Sequence, residues 1–174
     1  MRRVEVVAHK REWQLLFRDE CESLRAVFGD ELVKLSHIGS TAIPAIAAKP
    51  VIDILAVVRS IERVADFNEE MEKSGYDVRG ENGIAGRRFF SKGKNERSHH
   101  VHMFQAGHED IARHLAFRDY MLAHPQEAER YSQLKLSLAA EFPTDIKEYV
   151  NGKHAFIKVI DERAKRWVSD RDVF

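Results

Sequence analysis

From Lys10 to Phe28 the side chains Trp13, Leu16, Phe17, Cys21, Leu24, Val27 and Phe28 recur at helical spacing, and Gly29 closes the run. That spacing predicts an amphipathic helix. Leu32 to Ile38 then reads as a strand running into Gly39. Thr41 to Pro50 is small, rich in Ala and interrupted by Pro44, which predicts a short helix or a wrapped loop. Val51 to Val58 (VIDILAVV) is a continuous, β-branched run with one acid inside it. Such a run marks a central strand buried on both faces.

Ser60 stands where it would cap a helix carrying Ile61, Val64, Ala65 and Met71 on one side and ending at Gly75. Arg87 to Lys92 (RRFFSK) and His99 to Gln105 (HHVHMFQ) predict two strands, and the polar stretch between them predicts an antiparallel hairpin. Helices follow. One is expected from Glu109 to about Leu122 and a second after Pro125, a favourable first helical residue. A third starts near Thr144, with Tyr149, Phe156, Ile157, Ile160, Ala164 and Trp167 as its apolar stripe. The outline is an α+β fold, a small mixed sheet with helices and a helical C-terminal part, rather than a regular βαβ repeat. No repeat, low-complexity tract or Pro/Gly-rich linker divides residues 1–174, so one domain is expected.

Composition narrows the function classes. The 28 basic and 28 acidic residues balance. A protein that grips nucleic acid through bulk positive charge needs a basic excess to release counterions, so broad nucleic-acid binding is not expected. A local basic pocket is compatible with neutrality. The single cysteine, Cys21, cannot form an internal disulfide, which fits a reducing compartment, and its place in a helical stripe reads as a buried small apolar residue. The N-terminus carries no apolar signal region, and no apolar run approaches the roughly 20 residues of a membrane helix. A cytoplasmic protein without a membrane partner is expected.

The candidate chemistry concentrates in His37 to Asp53, HIGSTAIPAIAAKPVID. Gly39 lacks a Cβ and lets backbone approach a ligand closely. Ser40, Thr41 and the amides that follow offer donors to phosphate oxygens. Asp53 puts a carboxylate inside an apolar strand, where an unpaired charge is costly, so a functional role is favoured over a merely structural one.

HIGSTAIPAIAAKPVIDILAVV resembles the signature of the GrpB family, which is placed in the nucleotidyltransferase superfamily. The resemblance continues through RFFSK, SHHVHMF, LAFRDYM, YSQLK and YVNGKHAFI, nearly the whole chain. It implies a nucleotidyltransferase-like fold. In that superfamily a Gly-Ser after the first strand holds the terminal phosphates of a nucleotide, and acids on two strands bind two divalent metals. Gly39, Ser40 and Asp53 match this pattern. The second acid should lie two residues after Asp53, on the same strand face, and that position is Leu55. One carboxylate does not readily hold two ions. Either other residues complete the site or adenylyl-type transfer is absent.

Histidines are the candidates for completing it. His100 and His102 alternate across Val101 and face one side of a strand, about 6.5–7 Å apart along it, while His99 points the other way. With His37 and Asp53 they form a candidate metal set. Magnesium or manganese is expected as the cofactor from the superfamily pattern, and zinc if the histidine set holds the ion.

Basic residues form a second constellation. Lys49 precedes the Asp53 strand, and Arg87 and Arg88 open the hairpin. Alternation divides the two arginines between faces, and Arg88, on the face of Phe90, is taken as the ligand-side candidate. Arg118 lies in FRDY, while Lys135 and Lys153 follow Tyr131 and Tyr149 by four residues. An i,i+4 Tyr/Lys pair shares one helical face, offering a phenol for stacking and an ammonium for phosphate. The leading expectation is a protein that binds a nucleoside triphosphate or similar phosphorylated ligand with a divalent metal, with nucleotidyl transfer to a small molecule or protein as the reaction. A metal-dependent phosphohydrolase built on the histidines is the alternative class. A non-catalytic binder of a phosphorylated metabolite is the third.

Overall fold

A computed structural model describes residues 3–44 and 46–171 of the 174. The helices and strands are α1 (Glu12–Phe28), β1 (Leu32–Ile38), β2 (Ile52–Val58), α2 (Asn68–Lys73), β3 (Tyr76–Val78), β4 (Arg87–Lys92), β5 (His99–Gln105), α3 (Glu109–Ala123), α4 (Pro125–Glu141) and α5 (Ile146–Arg171). The predicted α+β class, with its small mixed sheet and helical C-terminal part, is the architecture observed. Four strands have the predicted boundaries or differ by one residue, because their runs are bounded by Gly or by polar turns.

The chain gathers into two compact units. One contains the described residues of Arg11–Ile38 and Val51–Ile111 and holds the sheet. The other contains those of Met1–Lys10, Gly39–Pro50 and Ala112–Phe174 and is helical.

In the sheet unit the five strands lie in the order β1-β2-β5-β4-β3. β2 and β5 are parallel, and the other neighbours are antiparallel. The β4–β5 pairing is the hairpin predicted from RRFFSK and HHVHMFQ. β2 is central and almost wholly buried, as VIDILAVV requires. The register fixes which residues share a face. Asp53 pairs with Ile38 on one side and His100 on the other, Leu55 pairs with His102, and β4 adds Ser91 and Phe89 opposite those histidines.

Helix α1 meets the opposite face. Glu20 is buried there and accepts hydrogen bonds from the Tyr76 hydroxyl (2.7 Å) and from Lys92 Nζ (2.9 and 3.0 Å). Burial alone would raise the Glu20 pKa, but Lys92, Tyr76 and the nearby His99 outweigh it and hold the carboxyl below its ordinary value. Cys21 beside it is buried, as expected from its place in the helical stripe, and burial pushes its thiol up to about 11. That environment keeps the sulfur protonated and poorly nucleophilic.

Between β2 and β3 the predicted Ser60-capped helix is replaced by a 3-10 segment, Glu62–Phe67, followed by the short α2. Ser60 is otherwise engaged, its amide donating to Glu31 Oε1 at 2.6 Å. Strand β3 is an addition of three residues that no sequence run announced.

The helical unit has two apolar centres. Ile43, Ile46, Tyr120, Met121, Tyr131 and Ile160 pack in one, and Val4, Leu138 and Tyr149 in the other. Among the described residues no helix is long and apolar enough to cross a membrane.

Glu20→Ala leaves the Tyr76 hydroxyl and Lys92 without their shared acceptor and is expected to cost about 1–3 kcal/mol in urea unfolding. The unfolded chain protonates this carboxyl at the ordinary range, before the folded chain does. Its stabilisation is therefore present above that range and lost as pH falls through the lowered folded value. The variant should show a shallower acid decline, and an unchanged stability at neutral pH would refute the role.

Candidate functional site

The sheet unit presents a polar constellation on the face of β2 turned away from α1. His102 Nε2 lies 3.0 Å from Asp53 Oδ1, and His100 Nδ1 lies 3.4 Å from the same oxygen. The parallel β2–β5 register brings them together: it sets His100 beside Asp53 and His102 one pleat further on. Burial would raise the Asp53 pKa, but the hydrogen bonds of His100 and His102, with the electrostatic pull of the same two rings, dominate and hold it far below the ordinary carboxylate range. Asp53 is therefore an ionised acceptor at neutral pH.

The strand β4 supports this pair. The Phe89 ring lies 5.2 Å from His100 and 5.1 Å from His102, centroid to centroid, and walls both imidazoles. Arg87 stacks on Phe89 at 4.9 Å and donates to the carbonyls of Glu81 (3.0 Å) and Asn82 (2.6 Å). Its Nη1 lies 3.5 Å from His102 Nδ1. A guanidinium only donates, so His102 Nδ1 accepts, and the ring proton sits on Nε2 facing Asp53.

His37 stands apart from this group. It pairs with Ile54, so its side chain is on the α1 face, where it stacks on Phe17 at 4.8 Å and meets Gln14 Oε1 at 3.3 Å. The expected four-residue metal set is thus not assembled. Asp53, His100 and His102 do meet, but each imidazole spends a nitrogen on the same carboxylate oxygen. Among the described residues no group of three or more His, Cys, Asp or Glu side chains is arranged to hold a metal ion. Leu55, in the position of the second acid, is buried and apolar. The residues present do not fit a divalent metal.

The helical unit carries the basic constellation. Gly39 has φ 70°, a conformation that favours glycine, and a 3-10 turn, Ser40–Ala42, follows it. The Ala42 amide donates to the Gly39 carbonyl (3.2 Å) and the Ile43 amide to that of Ser40 (3.1 Å), so these two amides close the turn on itself. Thr41 is buried. Further along, Ser132 Oγ on α4 accepts the Ala47 amide at 2.9 Å, and Ala48 bridges to Val7, which fixes the backbone just before Lys49.

Two rings organise the lysines. Lys135 is only 2% exposed, and its Nζ lies 4.5 Å from the centroid of Tyr131. Lys153 Nζ lies 4.6 Å from the centroid of Tyr149, and Lys49 Nζ lies 5.2 Å from that same ring. The i,i+4 pairs predicted on α4 and α5 are therefore real contacts. Burial, with a smaller contribution from neighbouring Tyr131, pushes the Tyr149 phenol well above its ordinary range, so it stays a neutral donor. Arg118 donates to Asp119 at 2.8 Å.

The model of the GrpB protein family matches residues 3–163. The chain belongs to the GrpB family. The UPF0157 protein YqkA of Bacillus subtilis (strain 168) is 52% identical over 171 residues, covering 98% of this chain and 50% of YqkA, so the chain spans about half the length of that relative. The crystal structure of conserved protein GrpB from Enterococcus faecalis is 41% identical, with a TM-score of 0.90 over 94% of this chain and 99% of that one. A structure of Cid1 in complex with the UTP analog UMPNPP also matches, at 13% identity and a TM-score of 0.46 over 83% of this chain and 48% of that one.

Within this GrpB-family chain, Arg87 and Ser91 are the site-face residues that sequence reasoning passed over. Arg88 pairs with Met103 and is on the opposite face from Asp53, 3.9 Å from Glu81, whereas Arg87 reaches His102. Alternation separated the two arginines correctly. It could not say which face carried Asp53, because β4 is buried on both sides. Arg87→Met is expected to lose about 1–3 kcal/mol, since two carbonyls lose a charged donor, while Arg88→Met should stay within about 1 kcal/mol. Equal losses in chemical denaturation would contradict the assignment of Arg87 as the site's support.

Proposed function

We propose that this protein binds a small phosphorylated ligand, a nucleoside triphosphate or a molecule of similar charge. The observation that carries the reading is the set of three lysines, Lys49, Lys135 and Lys153, held on the faces of Tyr131 and Tyr149 in the helical unit. Aromatic faces orient ammonium groups, and two ammonium groups at one ring repel each other. An anionic ligand relieves that repulsion. The buried, neutral phenol of Tyr149 and the largely apolar setting raise the worth of each charge contact relative to the same contact in water.

Catalysis of nucleotidyl transfer is the finer reading, with Asp53 as its reactive-site carboxylate. Leu55 and the hydrogen-bonded state of Asp53 disfavour a two-metal version of it. The histidines on the Asp53 face favour a second reading, a phosphohydrolase whose proton handling is done by imidazole.

Calorimetric titration with ATP tests the first reading. Binding in the micromolar to millimolar range is expected, weakened about tenfold or more in Lys153→Gln and in Lys135→Gln. Lys153 is the decisive variant, because it is only partly buried and its loss leaves the core intact. Chelation with EDTA should leave the affinity within a few-fold. No binding at millimolar ATP, or unchanged affinity in Lys153→Gln, refutes the reading.

A further inference from the structure

Two polar atoms on the Asp53 face are buried without a hydrogen-bond partner among the described residues: His100 Nε2 and Ser91 Oγ. They are neighbours by register, since Ser91 on β4 pairs with His100 on β5, and His100 pairs in turn with Asp53 on β2. Ser91, His100 and Asp53 thus form a row across three adjacent strands, with all three side chains on one face. Buried polar atoms normally find partners, and two adjacent ones left open point to a group that comes from outside the chain.

The hydrogen bonds around the row set the state of each ring. Asp53 is ionised and only accepts, so His100 presents Nδ1–H to it and a neutral ring leaves Nε2 bare. His102 has the opposite tautomer, because Arg87 occupies its Nδ1 with a donor. His102 therefore has both nitrogens engaged, while His100 has one nitrogen bound and one open. Phe89, packed against both rings, holds the imidazoles in place.

We propose that His100 is a general base that takes the proton of a ligand hydroxyl or a water held beside Ser91 Oγ, with Asp53 as its positioning carboxylate. In the step the O–H bond breaks, the N–H bond forms on Nε2, and the imidazolium is stabilised by the ionised Asp53. The oxygen keeps the electron pair and becomes the nucleophile. With a phosphoanhydride bound on this face of the sheet as donor and water as acceptor, a new O–P bond forms as the terminal P–O bond breaks, and the leaving diphosphate takes that electron pair. The choice of ATP as the anhydride rests on the phosphorylated-ligand reading above. An open Nε2 and a fixed ring orientation are requirements of this chemistry, and this row supplies both.

Long-range proton–nitrogen NMR of the full chain, labelled at histidine and held at pH 8, reads the tautomers directly. The expected result is a bare Nε2 and a protonated Nδ1 for His100, with the reverse for His102. A His100 protonated at Nε2 overturns the proposal whatever its cause. ATP turnover in water supplies the second reading, with His100→Asn as the variant, since Asn retains an N–H toward Asp53 but has no basic nitrogen. Turnover is expected to fall at least about 100-fold in this variant with ATP affinity unchanged. Equal turnover, or none by a wild type that binds ATP, overturns the proposal. Failure to bind ATP at all overturns the phosphorylated-ligand reading instead, and the tautomers then decide this proposal alone.

Discussion

The parallel pairing of β2 with β5 is the constraint on which the site in the sheet unit depends. It carries the one acid of an apolar strand to within hydrogen-bonding distance of two imidazoles. A slip of one residue would turn every side chain of β5 to the other face and leave Asp53 with Val101 as its neighbour in place of His100. Burial of an unpaired carboxylate would then push its pKa up and favour its neutral form. The register instead leaves Asp53 charged, with Oδ1 shared between two imidazoles.

Two polar systems sit on opposite faces of this sheet and behave differently. Glu20, Lys92 and Tyr76 bond one another on the α1 face and hold helix to sheet, with His99 Nε2 beside Glu20 left without a hydrogen-bond partner among the described residues. On the Asp53 face the pairing is incomplete, with His100 Nε2 and Ser91 Oγ left open. Saturated networks make structure, whereas an open buried donor or acceptor is costly unless a ligand or water satisfies it. The helical unit supplies a different element, cations held in position on aromatic rings.

Much of this was legible in the residue pattern. The strands around Asp53 and the histidine pair are short runs bounded by turn residues, so their existence and the hairpin followed from the runs and the polar stretch between them. The Tyr131–Lys135 and Tyr149–Lys153 contacts followed from helical spacing. Other features were hidden because they depend on long-range register. His37 sits one residue too early to share a face with Asp53, a consequence of the Ile38–Asp53 pairing that the local pattern does not encode. Arg87 and Arg88 were separable, but the choice between them needed the location of Asp53. Ser91 looked like an ordinary strand residue, and only its pairing with His100 gives it meaning. Strand β3, three residues long, carries too little periodicity to be seen.

The sharpest division between this account and a metal-centred one concerns Asp53. Its Oδ1 is shared between two imidazoles, whereas a metal held jointly by Asp53, His100 and His102 would have to displace those contacts. Electron paramagnetic resonance titration of the full chain with Mn²⁺, compared with Asp53→Ala, separates the two. The account predicts no bound manganese at sub-millimolar concentration that depends on Asp53. A stoichiometric Mn²⁺ site present in the wild type and lost in Asp53→Ala would contradict it.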